Sequence, residues 1–277
     1  MIFQRFYRSD QFRFGSSSMT PVVKFLLVFN VASFILRSFM TVFWGVPGLV
    51  FFDHFFGFSV HRVWNDLYLW QIITYMFLHG SFAHIFFNMF ALWMFGPDIE
   101  RKLGSREFIK YYFITGIGAI FFFFITHLNE INLSADVAAQ GSVVLGASGA
   151  IFGVLGAYGY YFGNRMLLLI FPPIPIRART LVMVTALLEL FFLLTQPGSS
   201  IAHIAHLGGL FIGLAYLHFW KGGRRPPGIK DLFRWWKIRK LKKKLHIIGG
   251  EGRQDPFPIT CLRCGGCGSW VGERRNL

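Results

Sequence analysis

Six mostly apolar stretches dominate this chain, at residues 22–43, 81–100, 107–127, 148–163, 180–196 and 201–220. A helix crosses about 30 Å of hydrocarbon with about 20 residues. In lipid, each spanning segment must satisfy its own backbone N–H and C=O groups, so stretches of this length form helices. Hydrophobic residues make up 54% of the chain and charged ones only 15%, against about 25% charged in soluble domains. The expected fold is an all-α membrane protein with six transmembrane helices. The expected organisation is an N-terminal tail over 1–21, a six-span domain over 22–220, and a basic C-terminal tail over 221–277 with a cysteine-rich end.

The net charge of +15 is unevenly placed. Lys and Arg gather in the first tail (Arg5, Arg8, Arg13), after the second stretch (Arg101, Lys102, Arg106), before the fifth (Arg165, Arg177, Arg179) and beyond Lys221. The loop 128–147 has Glu130 and Asp136 and no Lys or Arg, and 197–200 is uncharged. The alternation follows the cytoplasmic enrichment of basic residues. It predicts an integral, multi-pass protein with both termini in the cytoplasm, expected in a bacterial inner membrane. The charges flank apolar spans and form no base-reading motif, which argues against a nucleic-acid partner. The first twenty residues lack an apolar core followed by a small-residue cleavage site, so no cleavable signal peptide is expected.

The fourth stretch is short, reaching roughly 24 Å at 1.5 Å per residue. Ser148 at its start therefore lies below the outer membrane surface, and His206 reaches a similar depth from the same side. The segment 44–80 is aromatic and interrupted by Gly45, Pro47, Gly48 and Gly57. It is expected to be partly helical and embedded in the outer leaflet. Residues 166–176 are too short and too proline-rich to span, which suggests an interfacial segment.

Ser148 lies in Gly146-Ala147-Ser148-Gly149 and His206 in Ala205-His206-Leu207-Gly208-Gly209. Ionisable and polar groups at lipid depth are costly, so a functional role is the first hypothesis. Serine becomes a nucleophile when a base such as neutral histidine takes its proton. The plainer alternatives are that Ser148 caps its helix and that His206 bonds a neighbouring helix. Gly209 and Gly213 form a small-xxx-small pair that permits close helix packing, plausibly onto the Gly149–Gly153–Gly156 face. His84 and Asn88, four residues apart, share a helix face. They could donate hydrogen bonds to an oxyanion or simply join helices. His79 is read as structural.

In this order, on these spans, the motifs are specific. The chain resembles the rhomboid intramembrane serine proteases through His79-x4-His84-x3-Asn88, Gly146-Ala147-Ser148-Gly149 and Ala205-His206-Leu207-Gly208-Gly209-x3-Gly213, over roughly residues 60–220. The resemblance implies a rhomboid-like bundle with an embedded first outer loop. It implies Ser148 as nucleophile, His206 as base, and His84, Asn88 and the Ser148 N–H as oxyanion stabilisers. It also implies a dyad without a third acid, and no Asp or Glu stands out in the sequence as placed to orient His206. There are two departures. Rhomboids often carry Trp-Arg in the first outer loop, where this chain has Trp70-Gln71, and many have tyrosine where Phe152 stands. Phe152 can still stack on His206. The implied partners are transmembrane protein substrates and membrane lipids, with no metal or organic cofactor; the oligomeric state is left open.

Rival readings are weaker. An intramembrane metalloprotease needs a pattern like His-Glu-x-x-His, which His203-Ile-Ala-His206 lacks. A transporter shows paired interrupted segments in two halves. An inactive rhomboid-like protein that binds transmembrane clients remains the alternative, although Ser148 and His206 are both retained. In the tail, the basic run with Trp235 and Trp236 suits either anionic lipid or solvent. Cys261, Cys264 and Cys267 fall one short of the four ligands of structural zinc, so free thiols are the simpler reading.

Overall fold

The computed structural model describes residues 18–132, 143–168, 174–196 and 203–221, all within the compact unit Met1–Pro226. The basic tail and its three cysteines lie outside the described residues.

Helix α1 (Pro21–Phe56) opens on a proline at its first positions, where the missing N–H costs nothing. The next two N–H groups, of Val22 and Val23, donate to the Glu100 carboxylate at 3.1 and 2.9 Å. A negative charge is favourable at a helix N-terminus. Glu100 also accepts from Ser105 Oγ at 2.6 Å. It lies near the end of α4 (Phe82–Leu103), so one buried acid joins three segments at this end of the bundle.

The first apolar stretch does not end near residue 43 as expected. Its helix breaks at Gly45 (φ 64°, ψ −155°), passes Pro47 and resumes to Phe56. Glycine takes the left-handed turn without a Cβ penalty. Beyond it, aromatic pairs one turn apart stabilise helix again, Phe51 with Phe55 and Phe52 with Phe56. Arg37 and Asp53, on the two limbs, form a two-pronged ion pair with both contacts at 2.7 Å.

The rest of 44–80 is partly helical, as expected. It forms α2 (Val60–Asn65) and α3 (Gln71–Thr74), with α3 running into a 3-10 turn at Tyr75–Phe77. Gln71, which follows Trp70, is fully buried. Its Nε2 donates to the His54 carbonyl at 2.8 Å and its Oε1 accepts from the Ser59 N–H at 3.1 Å. Trp70 Nε1 and Thr74 Oγ1 donate to the carbonyls of Phe55 and Phe56. The segment is braced by a neutral amide and its two neighbours.

After α4, Gly104 (φ 83°) turns the chain into α5 (Ser105–Thr126). Helix α6 (Ser148–Phe162) runs through the middle, packed by α4, α5, α7 (Ala178–Thr195) and α8 (His203–Lys221). Its small residues admit these neighbours. A Cβ at Gly153 would stand 2.6 Å from Thr115 of α5. Across to α8, a Cβ at Gly209 would stand 2.0 Å from the Gly149 carbonyl oxygen, and one at Gly213 would stand 3.0 Å from Gly153 Cα. Helices in lipid associate by such contact rather than by expelling water.

Between α6 and α7, where an interfacial segment was expected, β1 (Met166–Leu168) pairs antiparallel with β2 (Pro175–Arg177). Prolines exclude helix here, and strand pairing satisfies the backbone instead. At the base of this hairpin Arg165 contacts Asp98 of α4 and Tyr158 Oη.

Among the described residues, α1, α5 and α7 are long and apolar enough to cross a membrane by length and composition. Helix α4 ends in Asp98, Glu100, Arg101 and Lys102, α6 has 15 residues, and the apolar part of α8 is His203–Phe219. Of these, α6 is largely enclosed by its neighbours, whereas α4 and α8 each leave an apolar face exposed, with Phe82, Phe86 and Phe87 on one and Phe211 and Phe219 on the other.

Candidate active site

The strand-like segment before α6 is tied to the braced 44–80 region. Phe58 and Val144 exchange both backbone hydrogen bonds, at 3.0 and 2.8 Å, and the Gly146 N–H donates to the Tyr75 carbonyl at 2.9 Å. Gly146 takes φ 134°, a conformation that L side chains rarely adopt. A Cβ there would also stand 2.8 Å from two atoms of the His84 ring. Backbone conformation and close approach both require glycine at this position.

Ala147 is the N-cap and Ser148 the first residue of α6, with no side-chain cap. The Ser148 hydroxyl makes its hydrogen bond to another helix, at His206. The Ser148 N–H belongs to the first turn, where N–H groups have no intrahelical acceptor.

His206 comes from the fourth position of α8. Its Nε2 lies 2.7 Å from Ser148 Oγ, within hydrogen-bond range for proton transfer. If the hydroxyl donates, Nε2 is the bare nitrogen and the ring proton sits on Nδ1. The Phe152 ring, one turn beyond Ser148, stacks on His206 with centroids 4.7 Å apart and planes 4° off parallel. The backbone contact between Gly149 and Gly209 brings the two helices close enough for this meeting.

One expectation needs correction. An acid does face His206: Glu189 of α7 places Oε2 3.0 Å from His206 Nδ1 and 2.6 Å from His203 Nδ1. The His203 contact has hydrogen-bond geometry. The His206 contact is at ion-pair distance without hydrogen-bond alignment, so Nδ1 has no hydrogen-bonded partner among the described residues. Sequence reasoning missed Glu189 because it lies on another helix from both histidines. The available signal was the lone acid of α7, since an ionisable group within an apolar span is a site by default.

His84 and Asn88 lie one turn apart on α4. Ser81 caps that helix, its Oγ accepting the His84 N–H at 3.2 Å. The Asn88 side chain is buried and its Nδ2 has no acceptor among the described residues. A buried unpaired donor is costly, so Asn88 Nδ2 is a group that a ligand could satisfy. His79 is fully buried, edge-on to His84 at 5.1 Å. The arrangement offers a hydroxyl, a base in contact with it, an acid behind the base and polar donors alongside. These are the parts of an acyl-transfer site.

A family model described as the Rhomboid domain matches residues 66–221. The chain is 30% identical to the putative rhomboid protease YdcA of Bacillus subtilis, over 79% of this chain and 99% of that protein. It is 35% identical to Rhomboid protein 1, mitochondrial, of Saccharomyces cerevisiae, over 53% of this chain and 40% of that protein. It is 29% identical to rhomboid protease AarA of Providencia stuartii, over 57% of this chain and 58% of that protein. The chain thus spans nearly all of the Bacillus relative and less than two thirds of the other two.

Proposed function

The chain belongs to the rhomboid family, and from that premise we propose that it is an intramembrane serine endopeptidase, with Ser148 as nucleophile and His206 as general base. It is an integral membrane protein, and its substrates are transmembrane segments of other membrane proteins. Cleavage takes place near the outer face, both termini lying in the cytoplasm, a reading supported by the distribution of Lys and Arg among the loops. Residues 22–220 form the protease domain and the tails flank it.

The chemistry follows from the atoms in contact. A substrate segment unwinds locally and offers a peptide carbonyl above Ser148. His206 Nε2 takes the hydroxyl proton as Oγ forms its bond to the carbonyl carbon. The negative charge that develops on the carbonyl oxygen meets the Ser148 N–H, Asn88 Nδ2 and His84. The imidazolium then gives its proton to the leaving amine as the C–N bond breaks, leaving an acyl-enzyme. Water entering from the outer side, deprotonated by His206, hydrolyses the ester and restores Ser148. Phe152 holds the imidazole plane through this cycle, and Gly209 and Gly213 keep α8 against α6.

The observation that carries the reading is the 2.7 Å contact between Ser148 Oγ and His206 Nε2. The test is purified full-length protein in detergent, given a model transmembrane substrate and a fluorophosphonate probe. Wild type should cut the substrate and take the label, and Ser148→Ala and His206→Ala should do neither. Equal cleavage by wild type and Ser148→Ala refutes the assignment. A folded wild type that binds transmembrane segments without cutting or labelling points to the inactive, client-binding alternative.

A further inference from the structure

The acid behind the base is the feature that the family's dyad does not account for. Glu189 is the lone acid of α7, whose other charged residue, Arg179, lies in the first turn. Its neighbours Leu187, Leu188, Leu190 and Phe191 are all exposed on the bundle surface, where lipid would lie, whereas its own side chain is only 16% exposed. A carboxylate inside a span is costly unless it is partnered. The partners here are two histidines one turn apart on α8. One of them is the proposed base.

We propose that Glu189 is a positioning residue for His206, so that Ser148, His206 and Glu189 work as a relay; this rests on the protease reading above. His206 is placed between two oxygens. Ser148 Oγ is at its Nε2 at 2.7 Å and Glu189 Oε2 is at its Nδ1 at 3.0 Å. For Nε2 to accept the serine proton, Nδ1 must carry the ring hydrogen. A carboxylate at Nδ1 favours that tautomer and stabilises the imidazolium that forms on proton transfer. His203 Nδ1 holds the same oxygen, Oε2, at 2.6 Å, so Glu189 keeps its place while His206 is neutral. The loose alignment at Nδ1 suits a resting site, because such bonds tighten when the charge forms.

Two plainer roles compete. Glu189 and His203 could serve only as a staple between α7 and α8. The three side chains also place donor atoms close enough to suggest a metal site. However, Glu189 Oε2 stands 2.6 and 3.0 Å from the two nitrogens, whereas ligands on one tetrahedral zinc sit about 3.4 Å apart, given bonds of about 2.1 Å. The observed spacing is that of hydrogen bonding.

The test compares wild type, Glu189→Gln and His203→Gln, with the labelling rate and the kcat and KM for the model substrate all measured per labelled serine. Gln keeps the shape and removes the charge. The expected result for Glu189→Gln is a fall in kcat of about ten- to hundredfold with KM little changed, the loss of one charge-assisted hydrogen bond. His203→Gln should lose less. Equal losses confined to the amount of folded, labelled protein, with kcat per site unchanged, make the pair a staple and overturn the proposal. A second measurement needs no variant: 15N-histidine NMR of the wild type after fluorophosphonate labelling should show a strongly downfield Nδ1 proton on His206. An Nδ1 without a bound proton in that spectrum overturns the proposal as well. The two readings fail differently: a wild type that neither cuts nor labels removes both, whereas a labelled wild type matched in rate by Glu189→Gln removes only this one.

Discussion

Gly149 and Gly209 meet backbone to backbone, so closely that a Cβ on Gly209 would stand 2.0 Å from the Gly149 carbonyl oxygen. One turn of helix away from that contact, His206 meets the first residue of the facing helix, Ser148. The site's main hydrogen bond is thus a consequence of how near two helices can come. Gly209→Ala should force α8 away from α6, lowering the melting temperature and removing fluorophosphonate labelling. The clash is with backbone rather than a movable side chain, so the cost should reach or exceed the roughly 1–3 kcal/mol of overpacking. Full labelling of a folded Gly209→Ala protein contradicts this account.

Gly146 should be nearly as sensitive, for a different reason. Its φ of 134° disfavours any Cβ, and that Cβ would meet the His84 ring. Gly146→Ala should cost about 1–3 kcal/mol in local strain and displace the turn that presents Ser148. Cleavage should drop at least about tenfold, as checked by steady-state assay beside a circular dichroism melt.

Asn88→Ala removes a donor that has no acceptor among the described residues. Because that donor is proposed to act on the transition state, kcat should fall about a hundredfold while KM stays near its wild-type value. Stability should hold or rise slightly, since an unpaired buried polar group is removed. A loss appearing wholly in KM would place Asn88 in substrate binding instead.

Gln71→Ala tests the brace of the 44–80 segment. It leaves the Ser59 N–H and the His54 carbonyl without their side-chain partner, a loss of about 1–3 kcal/mol. Tyr75, which holds Gly146 through its carbonyl, lies one turn further on. Thermal stability should fall and cleavage with it. Gln71→Glu should be worse than neutral, because a carboxylate cannot donate to the His54 carbonyl. Unchanged melting and cleavage in Gln71→Ala would mean the segment is held by other contacts.

Much of this was legible from residue types and spacing. The apolar stretches located six long helices, with all but the end of the first placed to within a few residues, because chain length in lipid has few solutions. His84 and Asn88 were placed on one face by helical period alone. The end of the first stretch was misjudged because Gly45 and Pro47 read as a stop. In fact only Gly45 leaves helical angles and the aromatic run beyond it winds again. The hairpin at 166–177 was hidden because strand pairing depends on a partner that local pattern does not reveal.

The sequence by itself determined that this is a helical membrane protein carrying a serine and a histidine inside apolar stretches, since burial cost and helical period act within a segment. Only the tertiary structure decided that Ser148 faces His206, that Gln71 braces the segment before α4, and that Glu189 stands beside His206. Each of these joins residues from separate segments, and the rotation and depth of one segment against another are set by packing of small residues that no single segment encodes.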